Sequence, residues 1–348
     1  MKTLFVTTCL VMVCGVGLAQ QPGEKPKELE SLGQYVGDWT TDVTDQPAAL
    51  TPHEIKYRCL NQAEFVRNGW FLQHIEVKHI VGQPEKVWKA IWFQTFDTAS
   101  SEYVTWFFQS SGNMGKYTGI WDAASRTFSF VLVLDYALPP DSTIKFAERF
   151  VTNGLIDGTF TCNRNDGHLF FDTVWTRKRQ AGVVGKPLQE QWARIGTPIQ
   201  PIPDEVKKLE AFVGPKDVEF IHRPSVVSPQ GGTTKTVTSG EWILDGRFVL
   251  ARTGVGERES LFVTGYDSNK QTFRYVRMGA NGELEENIGQ WNEAARSFEW
   301  KGVGDANGLT RTATSRLIGN GGIETHILTK TQDGKVHMDL TMKSTPRK

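Results

Sequence analysis

Gly119-Ile-Trp121-Asp-Ala-Ala-Ser-Arg126-Thr-Phe128 returns further along the chain as Gly289-Gln-Trp291-Asn-Glu-Ala-Ala-Arg296-Ser-Phe298, an offset of 170 residues (289 − 119). The offset holds without a gap from Phe96 to Phe128, where seven of 33 positions are identical, among them Asp97/Asp267 and Gly112/Gly282. Upstream it becomes 177, pairing Asn68-Gly69-Trp-Phe71 with Asp245-Gly246-Arg-Phe248. Downstream it becomes 167, pairing Arg149/Arg316, Gly154/Gly321 and Asp172/Asp339. Shared Gly and aromatic positions in register over three segments mark one domain written twice.

Each unit opens with a helical pattern. Leu29, Leu32, Tyr35 and Val36 stop at Gly37, and Val206, Leu209, Phe212 and Val213 stop at Gly214. Asp204 is placed to cap the second helix. After the helix, the first unit divides at turn residues into about ten strands, near 39–44, 53–60, 64–79, 86–97, 102–109, 114–121, 126–134, 143–151, 155–163 and 168–177. Val336, Met338, Leu340 and Met342 alternate with Lys335, His337, Asp339 and Lys343, one face apolar and one wet. Ten such strands leave open edges unless they close, so each unit is expected to be an antiparallel barrel. The expected fold is all-β, two tandem barrels of about ten strands, each preceded by a short helix. The divisions are 1–19 signal peptide, 20–26 leader, 27–178 first unit, 179–203 linker with Pro198, Pro201 and Pro203, and 204–345 second unit.

The chain has 348 residues with 39 basic and 39 acidic side chains, so no net field favours nucleic acid or an anionic membrane. Lys2, the apolar run Leu4–Leu18 and Gly17-Leu-Ala19 read as a secretory signal, too short to span a bilayer. The expected location is therefore periplasmic or extracellular. With the signal removed only Cys59 and Cys162 remain. Both take the apolar parity of strands three spacings apart along a barrel wall, about 14 Å, beyond reach of a disulfide.

Taken together, the short helix, Gly37-Asp-Trp39 opening the first strand, the Asn/Asp-Gly-x-Phe strand, the Phe/Tyr-Asp pair and the Gly-x-Trp strand resemble an uncharacterised family of bacterial exported barrels. That family is itself similar to the calycins, which include lipocalins and nitrobindins. The second unit departs from the pattern with Gly214-Pro215-Lys216. The resemblance implies a calycin-like barrel with a possible ligand cavity and no established activity.

The helix leads into strand 1, so it should close one end of the first barrel, and the odd-to-even joins should form the opposite rim. The first unit is longer there, by seven residues around Val81–Glu85 and by three around Asp135–Asp141. It also carries Trp39, Trp70, Trp88, Trp92, Trp106, Trp121 and Trp175 against Trp242, Trp291 and Trp300 in the second unit. Core filling accounts for such a load, and so does the wall of an apolar pocket. Residues common to both units read as scaffold, so ligand contacts are expected where the units differ: Tyr57, His74, Trp92, Trp106 and Tyr117. Strands 4 and 5 are apolar on both faces, which leaves their inward phase open.

No cofactor or metal is expected. His74 and Glu76 share a strand face but His79 does not, and zinc needs three or four ligands. His168 and His337 fall on the polar parity of the late strands, where a haem ligand would have to point inward. No catalytic residues are assigned, since the chain carries no nucleophile elbow, phosphate loop or paired-carboxylate signature. The reading is a non-catalytic exported protein binding a small apolar ligand in barrel one. The alternatives are a protein-interaction module of the cell envelope and, further off, a hydrolase or isomerase at the barrel mouth.

Overall fold

The computed structural model describes residues 24–135, 141–180, 188, 190, 192, 201–303 and 308–347. The signal segment 1–19 and residues 136–140 of the lengthened rim lie outside them.

The first barrel is formed by β1 (Gly37–Asp45), β2 (Ile55–Val66), β3 (Phe71–Ile80), β4 (Gln83–Asp97), β5 (Glu102–Gln109), β6 (Met114–Asp122), β7 (Thr127–Asp135), β8 (Ser142–Thr152), β9 (Leu155–Arg164) and β10 (Leu169–Gln180). The second repeats the plan with β11 (Gly214–His222), β12 (Gly232–Ile243), β13 (Phe248–Thr253), β14 (Ser260–Asp267), β15 (Thr272–Met278), β16 (Leu284–Asn292), β17 (Ser297–Gly302), β18 (Thr310–Ile318), β19 (Gly322–Lys330) and β20 (Val336–Pro346). Each is a closed antiparallel meander, sealed by β1 pairing with β10 and by β11 pairing with β20.

The repeated decapeptide is the β6–β7 hairpin, and its counterpart is β16–β17. Gly119 lies where a Cβ would come within 2.3 Å of the Ser129 carbonyl, and Gly289 where it would meet Trp300 at 2.3 Å. Trp121 packs on Phe128 at 4.5 Å and Trp291 on Phe298 at 4.8 Å between ring centroids. Arg126 and Arg296 both hold the turn at positive φ, 54° and 49°. The motif is a structural rib.

Three local expectations are corrected. The boundary expected between 60 and 64 lies further on: β2 runs to Val66 and β3 starts at Phe71, because Arg67, Asn68 and Gly69 take φ of 51°, 54° and 82° and reverse the chain. Residues 81–85 make no separate loop: they lengthen the β3–β4 hairpin, whose register shifts between His79 and Ile80. Before barrel two, Asp204–Phe212 is a run of tight 3₁₀ turns, in which Asp204 binds Lys207 at 2.7 Å instead of capping the helix.

Before barrel one, α1 (Leu29–Leu32) runs into a 3₁₀ turn, Gly33–Tyr35, and together they plug one end. Leu29, Leu32 and Tyr35 are buried, and the Tyr35 ring meets Phe128 and Phe150. The Trp39 indole N–H donates to the Tyr35 carbonyl at 2.6 Å. Arg179 lies over the Trp39 ring at 4.4 Å and donates to the carbonyls of Gln34 and Val36. Unit two makes the same tie without a tryptophan, since the Lys216 ammonium donates to the Val213 carbonyl at 2.8 Å.

The barrels pack side by side through the outer faces of β4–β6 and β13–β15. Phe108 meets Phe248 edge to face at 5.5 Å, and a Cβ on Gly265 would touch the Met114 methyl at 3.1 Å. The interface is nearly two-fold: the buried outward residues that share its core are counterparts in the repeat, Ile91/Leu261, Phe93/Val263, Trp106/Val276 and Phe108/Met278. An ion pair closes each end, Lys89 with Asp245 at 2.7 Å and Arg67 with Glu259. The first joins the middle of β4 to the tight turn before β13, and the second joins the tight turn after β2 to the residue before β14.

Candidate functional site

Pairing fixes which side chains enter barrel one. Trp92 opposes Phe107, Thr105 opposes Tyr117, and His74 opposes both Ala63 and Trp92, so these residues share the inner face. The half nearest the plug is packed with Tyr35, Phe128 and Phe150, all buried. The opposite half holds a cavity of about 420 Å³.

Its wall is a connected series of aromatic rings. Phe107 meets Trp92 at 5.2 Å, Trp92 stacks on Tyr117 at 6.3 Å, Tyr117 meets Phe146 at 6.0 Å, and Phe146 stacks on Trp175 at 5.4 Å. Phe160 and Phe171, which meet edge to face at 5.4 Å, Ile144 and Val43 extend this wall. Gly158 makes room for Trp175, whose indole lies 1.9 Å from where a Cβ would stand.

The floor is charged. Arg177 reaches Glu148 at 3.2 Å, and Glu148 also accepts the Trp175 indole N–H at 3.0 Å. The Arg177 Nε is buried without a partner. Glu76 and Lys78 line the same region. Burial raises the Glu76 carboxyl above its usual value, with Arg177 and Lys78 acting against that shift. Asp45 at the rim accepts a hydrogen bond from Thr173 at 2.7 Å. Apolar walls over a floor of fixed donors and acceptors suit an apolar molecule with one polar end. Cys59 and Cys162 line the cavity as well, both buried and not joined to each other. Burial, then the charge of Glu76, pushes the Cys59 thiol well above its usual range, so it stays protonated and weakly nucleophilic.

Of the five residues picked from sequence, Trp92 and Tyr117 line the cavity. Tyr57 lies at its edge, its ring against Trp88 at 6.0 Å and under the Lys78 ammonium at 4.5 Å. Two belong elsewhere. His74 sits among the plug residues, its Nε2 3.0 Å from Gln94 Oε1 and its ring on Tyr35 at 5.4 Å. Trp106 has the opposite parity from Phe107 and Gln109, so it points out of the barrel and stacks on Phe108 at the interface. From sequence, Glu148-Arg149 and the pair Arg177/Arg179 could recognise an anion but read better as a solvated face; the structure instead buries Glu148 and Arg177 and places Arg177 in the cavity lining. Their signal was a charge on inward parity in two otherwise alternating strands. Among the described residues no three His, Cys, Asp or Glu side chains come together as a metal site.

Barrel two carries charged residues at the corresponding positions. Where barrel one has Phe107, Gly115, Tyr117 and Ile144, the repeat places Arg277, Glu285, Asn287 and Arg311. Glu285 binds Arg277 at 2.9 Å and also binds Arg311. Burial alone would raise the Glu285 carboxyl, but the two guanidinium groups outweigh it and hold it below its usual value. A salt-bridged cluster therefore occupies the region that stays hollow in barrel one.

No protein-family model matches the chain. No curated protein matches it by sequence. Among solved structures it is similar to an S-type phycobiliprotein lyase of Guillardia theta, at 11% identity over 44% of this chain and 93% of that one, TM-score 0.32. It is similar to a protein of unknown function from the DUF3598 family of Nostoc punctiforme, at 13% over 92% and 100%, TM-score 0.26. A protein of M. tuberculosis is similar at 12% over 45% and 100%, TM-score 0.36. Likenesses this remote say nothing of what the chain binds.

Proposed function

We propose that this is an exported, non-catalytic protein whose first barrel binds one small, mostly apolar molecule in the half away from the plug. The observation that carries the reading is the cavity of about 420 Å³, walled by Trp92, Phe107, Tyr117, Phe146 and Trp175 over the Arg177–Glu148 pair. The contrast between the units supports it. In the second barrel a salt-bridged cluster of Arg277, Glu285 and Arg311 stands at the corresponding positions. An aromatic wall favours ring-bearing or otherwise flat ligands, which gain from stacking as well as from burial. A polar group at the ligand's inner end would answer the unpartnered Nε of Arg177.

Native mass spectrometry of the chain purified from the cells that make it tests this reading. The expected spectrum shows the polypeptide starting at Gln20 and a second species heavier by one small molecule. A chain that retains Lys2 to Ala19 would overturn export. A chain that stays unliganded after incubation with a lipid extract of those cells would overturn binding.

A further inference from the structure

Among the described residues, Asp45, Glu76, Lys78 and Arg177 bring charge to the cavity wall of barrel one. Three of these have partners inside the protein. Asp45 accepts a hydrogen bond from Thr173 at 2.7 Å, the Lys78 ammonium lies over the Tyr57 ring at 4.5 Å, and Arg177 binds Glu148 at 3.2 Å. Glu76 differs. No described residue donates a hydrogen bond to its carboxyl or stands within ion-pair distance of it, and the side chain keeps accessible surface on the cavity side. The charges of Arg177 and Lys78 act on it from beyond that distance and leave its acceptor oxygens open.

The repeat gives a contrast at this position. Glu76 stands opposite Asn61 in barrel one, and Thr253 stands opposite Thr238 at the equivalent place in barrel two, an offset of 177 on both strands (253 − 76 and 238 − 61). Thr238 and Thr253 share a hydrogen bond at 2.8 Å, so that pair is satisfied within the wall. Glu76 instead turns an acceptor toward whatever the cavity holds. Such a group, held among apolar walls, is costly without a donor.

Charge decides which kind of donor fits. An ammonium head would meet Lys78 and Arg177, and a carboxylate head would meet Asp45, Glu76 and the nearby Glu148. Either ion would also lose its hydration on entering an aromatic-walled space. A hydroxyl escapes both penalties and has a proton to donate.

We propose that barrel one recognises an uncharged hydroxyl, an alcohol or phenol on a flat apolar skeleton, through a hydrogen bond donated to the Glu76 carboxyl. This rests on the reading of that barrel as a ligand site and narrows the ligand to one chemical class.

Equilibrium dialysis of the mature chain at neutral pH tests it with compounds that share one ring system: 1-naphthylmethanol, 1-methylnaphthalene, 1-naphthoate and 1-naphthylmethylammonium. The expected result is one alcohol per chain, held at least tenfold more tightly than each of the others, since a site built around a hydroxyl rejects analogues lacking it. Glu76→Leu should bring the alcohol down to the level of 1-methylnaphthalene and leave 1-methylnaphthalene itself bound. Glu76→Gln, which keeps an acceptor oxygen, should retain most of the preference. Binding of 1-methylnaphthalene as tight as that of the alcohol, tighter binding of either ion, or an unchanged preference in folded Glu76→Leu would overturn the proposal and leave the ligand site standing. Binding of none of these compounds would overturn the site itself, and the proposal with it.

Discussion

Gly158 and Trp175 set the width of the cavity. The indole occupies the space a Cβ at 158 would take, so Gly158→Ala must push Trp175 off the β9 wall. The variant is expected to lose at least tenfold in ligand affinity and about 1–3 kcal/mol of stability through overpacking; ligand titration and thermal melts would read both. His74 makes a different prediction. Burial, then the charge of Arg177, lowers its imidazole from 6.5 to about 3, while the Gln94 hydrogen bond acts the other way. The folded protein therefore binds this proton less readily than the unfolded chain. Its contribution is complete above the unfolded value of 6.5 and is lost as pH falls from there towards 3. At about 1.4 kcal/mol per unit, the loss approaches 4–5 kcal/mol. Glu76, shifted upward, acts with the opposite sign, so the test is the difference between wild type and His74→Gln. Urea melts from pH 7 to 4 should show a shallower slope for the variant; equal slopes would contradict a buried, neutral His74. None of this was legible from the residue itself, since inward parity places His74 correctly on its strand but does not say how far the plug reaches into the barrel.

At the level of strands, β4 and β5 resisted a reading of phase because both faces are apolar. The reason is the second barrel. Ile91, Phe93, Trp106 and Phe108 point outward into the core shared with the second barrel while Trp92 and Phe107 line the cavity. Sequence alternation reports burial, not which buried side it is, so Trp106 was misplaced and Trp92 was not. The helix, the hairpin rib and nine of the ten strands of unit one were legible, because turn residues and alternating polarity act locally. The exception, 64–79, hid an Asn68-Gly69 turn inside an apolar run. The interface ion pairs were invisible, since each joins residues 156 or 192 positions apart. Lys89 and Asp245 are 4% and 3% exposed at the side chain, so removing one partner strands a buried charge. Lys89→Met should cost roughly 3–5 kcal/mol in chemical denaturation. Lys89→Met with Asp245→Asn should recover most of that loss, Asn being tolerated at the positive φ of 59°. If the single and double variants were equally destabilised, the pair would not be what holds that end of the interface.

On the scale of the molecule, duplication separates scaffold from function. Both units keep the plug, the rib, the closed meander and the outer face through which they meet. They part inside the barrel, where Phe107, Gly115 and Ile144 of the first unit stand against Arg277, Glu285 and Arg311 of the second. The repeat made that contrast available in the sequence, but only the register shows that the three positions share one layer of the barrel. The most direct measurement is a fluorescence titration with 1-aminoanthracene, a flat apolar dye, on the wild-type chain and on the triple variant Phe107→Arg, Gly115→Glu, Ile144→Arg. This variant carries the salt-bridged cluster of barrel two into barrel one, and circular dichroism would verify that it folds. Saturable binding at one dye per chain, lost in the folded triple variant, is the predicted result. Absence of saturable binding in the wild type, or equal binding by both proteins, would contradict a ligand site in the first barrel.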